Sequence, residues 1–167
     1  MDAYRPARLE DLDDLLALQR AYYAEDGYPF DPAAARDAFA QLLADPALGA
    51  AWIVRAEDGR ALAYVVLTMG WSLEFGGRDG FVDELYVTPA ARGRGLGRAG
   101  LARAEAGARA RGVRRLHLEV EDGKPGAHAL YRRSGFAEHG RTLMSKPLAQ
   151  AGASGSAQGP SAAHVGR

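Results

Sequence analysis

Leu9, Leu12, Leu15, Leu16 and Leu18 recur through residues 8–23 at the spacing that gathers side chains on one face of a helix. Asp11, Asp13 and Asp14 fall in its first turn, where the helix dipole favours anions. A short extended stretch, 4–7, precedes it, and Gly27 and Pro29 mark a turn over 25–30. A second helix is predicted over 32–43, with Asp31 as N-cap, Pro32 at its first position and Asp45-Pro46 ending it. Residues 51–56 and 60–69 predict two strands joined by Glu57-Asp58-Gly59, whose Asp-Gly pair is a hairpin signal. Residues 71–80 continue as a ribbon or loop broken by Gly76-Gly77, and 81–87 form a strand closed by Pro89. An alanine-rich helix over 98–111 stops at Gly112. Leu116, Leu118 and Val120 then alternate with His117, Glu119 and Glu121, the period of a strand over 114–121. A helix over 125–134 ends at Gly135, and 141–147 predict a last strand.

The order is β-α-α-β-β-β-α-β-α-β. The strand–helix–strand unit over 81–121 requires parallel neighbours and a right-handed crossover, whereas the earlier hairpin is antiparallel. The fold class that follows is α/β (α+β): a mixed central sheet with helices on both faces. From Ala149 the chain is Ala, Gly, Ser and Gln with little to bury, so one domain is expected over 1–148 and a disordered tail over 149–167.

With 47% hydrophobic and 25% charged residues, the 167-residue chain suits one soluble core. No run of 18 apolar residues is present, and residues 1–10 lack the apolar centre of a signal peptide, so neither a membrane partner nor export is expected and the protein is placed in the cytoplasm. The absence of cysteine excludes disulfides, thiolate metal sites and a cysteine nucleophile, and four scattered histidines make no metal cluster. The net charge is zero but unevenly placed. Residues 1–90 hold 16 acidic and 7 basic residues, a net of −9, and residues 91–167 hold 5 acidic and 14 basic, a net of +9. That split fits an anionic ligand on the second half and a cationic one on the first, or mutual attraction of the two halves or of two subunits.

Arg92-Gly93-Arg94-Gly95-Leu96-Gly97 stands between a strand and a helix. Glycines let a ligand approach the backbone, the N–H groups of a helix start are unpaired, and Arg92, Arg94 and Arg98 add charge, so the segment asks for a phosphate or pyrophosphate. Gly95, Gly97 and Gly100 also spell the dinucleotide pattern G-x-G-x-x-G, with Glu119 at about the expected distance beyond. That reading fails on context: Thr88 to Arg94, with a proline, intervene after the strand, and about half the chain precedes the motif instead of following it.

Asp83-Glu84-Leu85-Tyr86-Val87-Thr88-Pro89, followed by Arg92-x-x-Gly95-x-Gly97 and then Leu130-Tyr131-x-x-x-Gly135-Phe136, resembles the GNAT superfamily of acetyl-CoA-dependent N-acetyltransferases. The resemblance spans about residues 3–148 in the family's element order. One departure stands out: where many members carry an asparagine three residues before the alanine of the last helix, this chain has Lys124, followed by Pro125. Nothing that rests on an asparagine amide carries over, and Lys124 is instead expected on a cofactor phosphate.

The resemblance implies acetyl-CoA as co-substrate. Its pyrophosphate would lie on Arg92, Gly93, Arg94, Gly95, Leu96, Gly97 and Arg98, and its pantetheine arm along the backbone of Leu85, Tyr86 and Val87, where the two central parallel strands splay. It also implies direct acetyl transfer to an amine, which needs a base because a lysine-like amine, with a pKa of about 10.4, is protonated at neutral pH. Glu84 or its neighbour Asp83 is the expected base, directly or through a water, and Tyr131 the expected acid for the leaving thiolate. The acceptor usually enters beside the first two helices and the ribbon, which here carry Tyr22, Tyr23, Glu25, Asp26, Tyr28, Trp71, Glu74 and Phe75. Carboxylates among aromatics suit a cation, so the expected acceptor is a polyamine, aminoglycoside or amino-acid-like amine bound by Tyr22, Glu25, Asp26, Trp71 and Glu74. A protein lysine or N-terminus is the alternative acceptor, and a CoA-binding sensor without turnover the alternative of a different class. Eight arginines lie between 92 and 115, but the neutral chain offers few base-reading side chains there, so nucleic acid is not expected as a partner; a homodimer is.

Overall fold

A computed structural model of the chain describes residues 4–148. Of these, residues up to Ala137 form one unit, and those from Glu138 to Leu148 belong to another. In the first unit, five strands lie in sequence order: β1 (Arg5–Pro6), β2 (Gly49–Arg55), β3 (Ala61–Ser72), β4 (Gly77–Val87) and β5 (Arg115–His117). The first four are antiparallel to their neighbours, while β5 runs parallel to β4. Four helices complete the unit: α1 (Leu12–Asp26), α2 (Pro32–Ala44), α3 (Leu96–Ala110) and α4 (Pro125–Arg133). The mixed sheet with helices on both faces is the one the sequence predicts.

Strand alternation divides the core in two. On one face Ala51, Ile53, Tyr64, Val66 and Tyr86 meet Leu15, Leu16 and Leu18 of α1 and Phe39 of α2. On the other, Trp52, Val54, Ala63, Val65, Leu67 and Val82 meet Leu101, Ala104 and Ala108 of α3, with Leu130 and Phe136 from α4 and its exit packed alongside. Gly107 brings α3 onto the sheet: a Cβ there would stand 2.5 Å from the Trp52 ring. Asp31 caps α2 as expected, accepting from the backbone N–H groups of Ala33 and Ala34. Near the start of the chain, buried Asp11 accepts from Arg5 (2.8 and 2.5 Å), from Arg55 (2.8 Å) and from the Arg8 N–H (2.9 Å), tying β1 and β2 to the entrance of α1.

The differences from the predicted elements lie where pairing decides. The region 71–80 is the tip of one long β3–β4 hairpin, with Trp71 opposite Arg78, because the ladder continues through the glycines. The strand expected over 114–121 is regular only at Arg115–His117, the three residues with a β4 partner. The strand expected over 141–147 is absent: these residues have no hydrogen-bonded strand neighbour among the described residues, and Leu143, Met144 and Leu148 are exposed. The expected tail, 149–167, lies outside the described residues.

Candidate active site

The site is built where β4 is irregular. Val66 pairs with Glu84 but Leu67 pairs with Val82, so Asp83 is the extra residue of a β-bulge. Val82, Leu85 and Val87 all pack on the α3 side, although 82 and 85 differ in parity. The break in alternation therefore turns both Asp83 and Glu84 toward α1, where a regular strand would turn only one. Asp83 is exposed, whereas Glu84 is buried at 8% relative exposure.

Three neutral donors hold the Glu84 carboxylate. Gln19 Nε2 and Tyr23 Oη donate to Oε1, each at 2.8 Å, and Tyr64 Oη donates to Oε2 at 2.7 Å. Burial raises the carboxyl above its ordinary value of 4.5, and the donors from Gln19, Tyr64 and Tyr23 only partly offset that. The phenols form a wall around it. Tyr22 stacks on Tyr86 at 5.6 Å, and Tyr23 meets Tyr22, Tyr28 and Phe30 edge-on. Of these groups, the sequence singles out Tyr22, Tyr23 and Tyr28 by their region, but Gln19 and Tyr64 only the structure finds. Gln19 carried a signal, as a polar residue three and four positions before Tyr22 and Tyr23; Tyr64 is the lone hydroxyl in an apolar run.

On the opposite flank, β4 pairs with β5 only at Asp79, Gly80 and Phe81. Residues 82–87, including Leu85, Tyr86 and Val87, thus have no strand partner on that side. Just beyond lies the glycine loop. Gly93 (φ 75°) and Gly95 (φ 80°) take left-handed conformations, and no heavy atom stands within 4 Å of where either Cβ would be. The backbone is therefore open to a large ligand, and Leu96 and Gly97 begin α3 with their N–H groups toward the same space. Arg94 and Arg98 are exposed beside it. A glycine-rich helix start with three arginines, next to an unpaired strand edge, fits a long ligand carrying phosphates and amides.

Arg92 and Lys124 are not free cations. Arg92 donates from Nε to the Val87 carbonyl (3.0 Å) and from Nη2 to Glu25 (2.7 Å), with its guanidinium over the Tyr86 ring. Lys124 pairs with Asp26 and, at 3.4 Å, with Glu121, and lies over Tyr22. The Arg92 bond holds Glu25 below its ordinary pKa; burial pulls Lys124 down, but Asp26 and Glu121 outweigh it and raise it. Glu25 and Asp26 are thus each paired with a cation of the chain itself. Tyr131 lies half-buried at the same place: burial raises its pKa while the Lys124 charge pulls the other way. Tyr22 in turn is raised by burial and by the charges of Asp26 and Glu84.

Trp71 and Glu74 are not brought to this site. Trp71 stands five residues along β3 from Val66, the partner of Glu84, or about 17 Å at the rise of a strand, and Glu74 lies beyond it at the hairpin tip. Phe75 turns back under Arg115 and beside His117. Among the described residues no group of three or more His, Asp or Glu side chains could hold a metal ion, and no helix is long and apolar enough to cross a membrane.

The model of the acetyltransferase (GNAT) family matches residues 12–136, which include the bulge, the glycine loop and α4. The chain belongs to the GNAT family of acetyltransferases. A mycothiol acetyltransferase from Beutenbergia cavernae is 43% identical over 96 residues, 55% of this chain but only 29% of that protein, so the chain spans less than a third of this curated relative. Among solved structures, an integron cassette protein from the mobile metagenome of Cole Harbour Salt Marsh is 40% identical with a TM-score of 0.79, over 89% of this chain and 91% of that one. A predicted acetyltransferase from Clostridium acetobutylicum, crystallised with acetyl-CoA, shares the fold at 21% identity and a TM-score of 0.74, over 86% of this chain and 94% of that one. The residues matched thus include the free edge of β4 and the loop 92–97 as well as Glu84.

Proposed function

We propose that this GNAT protein is an N-acetyltransferase that moves an acetyl group from acetyl-CoA to a primary amine, most naturally a small cationic one. The observation that carries this reading is the buried Glu84 carboxylate, held by three neutral donors across β4 from an unpaired strand edge and a glycine-rich helix start. Acetyl-CoA fits that flank: the N–H groups at 93–97 with Arg94 and Arg98 receive the pyrophosphate, and the backbone of 85–87 the pantetheine amides. A backbone N–H at the bulged strand polarises the thioester carbonyl.

Glu84 takes a proton from the amine, directly or through a water, with exposed Asp83 the alternative base on the same side. As the carbon–nitrogen bond forms and the carbon–sulfur bond breaks, the thiolate receives the Tyr131 hydroxyl proton. A phenol kept protonated by burial suits that role. The acceptor is received by Tyr22, Tyr23, Tyr28 and Tyr86, whose faces favour a cation, with the charges of Asp83 and Glu84 behind them. Arg92 and Lys124 reach the cofactor phosphates by exchanging Glu25 and Asp26 for them, which leaves those two acids to the acceptor.

The relative whose name gives mycothiol as its acetylation target supports a small acceptor over a macromolecule. A protein lysine or N-terminus is the second reading, favoured by Trp71 and Leu73, which are 70% and 90% exposed on the hairpin arm. Thiol release from acetyl-CoA against a panel of polyamines, aminoglycosides, amino acids and a lysine peptide tests both. Glu84→Gln is expected to lower kcat/KM roughly a hundredfold or more, and Tyr131→Phe to lower kcat by at least about tenfold. Full activity in Glu84→Gln would reassign the base.

A further inference from the structure

Gln19 is 9% exposed and spends only half of its amide. Its Nε2 donates to Glu84 Oε1 at 2.8 Å, whereas its Oε1 is buried without a hydrogen-bond partner among the described residues. The amide orientation follows from its partners: Nε2 also reaches Tyr23 Oη at 3.4 Å, and turning the amide over would set its oxygen against the ionised Glu84 carboxylate at 2.8 Å. An acceptor is thus held beside the candidate base, on the α1 face shared with Tyr22 and Tyr23. Leaving a buried acceptor unpaired is unfavourable unless a ligand completes it.

A primary amine offers what this atom lacks. During attack its nitrogen carries two N–H bonds: one proton leaves toward Glu84, and the other stays in the product amide. We propose that Gln19 Oε1 accepts the N–H that is retained, so that the Glu84–Gln19 pair reads both hydrogens of the acceptor and selects primary over secondary amines. This inference rests on the acetyl-transfer reading and extends it by naming the residue that determines the class of amine. The carbon–nitrogen bond formed, the carbon–sulfur bond broken and the two proton movements are those already given; Gln19 gains and loses no proton.

The experiment compares thiol release for a primary amine and its N-methyl derivative in the wild type, Gln19→Met and Gln19→Glu. Gln19→Met removes both the donor to Glu84 and the acceptor, whereas Gln19→Glu keeps an acceptor at the position and shares a proton with Glu84. The wild type is expected to prefer the primary amine by about tenfold, the worth of one hydrogen bond. That preference is expected to fall to about one in Gln19→Met and to persist in Gln19→Glu, even though both lose kcat. If Gln19 only holds Glu84 in place, both variants keep the wild-type preference, and the proposal is overturned. Should Gln19→Met not fold, a Gln19→Glu enzyme without the preference overturns it equally. Wild-type thiol release keeps the two questions apart: release without a preference sinks the role of Gln19 alone, and no release with any amine sinks the acetyl-transfer reading beneath it.

Discussion

Glu84 carries opposite demands in one carboxyl. Three donors stabilise its charge while burial opposes it, and burial prevails. A carboxyl whose folded pKa lies above its unfolded value disfavours folding as pH rises past that unfolded value, and has no such effect below it. The stability of Glu84→Gln relative to wild type should therefore improve from pH 4 to pH 8 in thermal melts, even as the variant loses activity. A fall in the variant's relative stability over the same range would mean that the donors prevail. In the wild type, kcat/KM should climb with pH through the raised pKa, since the base must be ionised. Sequence alone narrows the base to Asp83 and Glu84 but assumes a regular strand between them. The bulge depends on how β3 and β4 register over ten pairs, which no local pattern encodes, and so do the Gln19, Tyr23 and Tyr64 contacts, which join residues 20 to 65 positions apart.

At the level of elements, the glycine loop and α3 were legible because left-handed backbone and open approach leave a direct mark in composition. Gly95→Val should weaken acetyl-CoA binding by about tenfold or more and lower the melting temperature by several degrees, since a β-branched residue at φ 80° is strained and shields the N–H groups. Calorimetric titration and a thermal scan measure the two effects. The C-terminal end of α1 was legible in residue type but not in use. Glu25 and Asp26 were expected to await a cation; instead they bind Arg92 and Lys124, whose partners lie 67 and 98 positions away. Glu25→Gln should thus tighten acetyl-CoA two- to threefold while raising KM for a cationic acceptor, the small effect reflecting an exposed ion pair. Weakening of both ligands together would mark Glu25 as purely structural. The strand expected over 141–147 shows the reverse case, a short segment between turn residues with no ladder to join.

Across the molecule, the acidic first half supplies α1 with the bulged strand, and the basic second half supplies the loop and α4, so under the proposed function the charge split becomes two flanks of one site. The same halves are also joined by their own ion pairs, an outcome the sequence left open. Stability at low pH is set elsewhere. Bonds from Arg5, and then from Arg55 and the Arg8 N–H, hold Asp11 well below its ordinary carboxyl range against the opposing effect of burial. A depressed carboxyl contributes stability that is present above its unfolded pKa of 3.8 and is lost as pH falls below it. Asp11→Asn should lower stability by about 2–4 kcal/mol at pH 7 in urea titrations, and by somewhat less at pH 3, where the contribution has begun to fall. An equal loss at both pH values would remove the electrostatic account of that corner.

In the proposed function Glu84, beside a strand edge open to acetyl-CoA, drives acetyl transfer to a small primary amine. The most direct measurement is free CoA thiol released from acetyl-CoA, amine by amine, by wild type and Glu84→Gln side by side. Release with one class of small amine, lost in Glu84→Gln while acetyl-CoA still binds, is the result the account predicts. Acetyl-CoA binding without release on any amine, or release undiminished in Glu84→Gln, would contradict it.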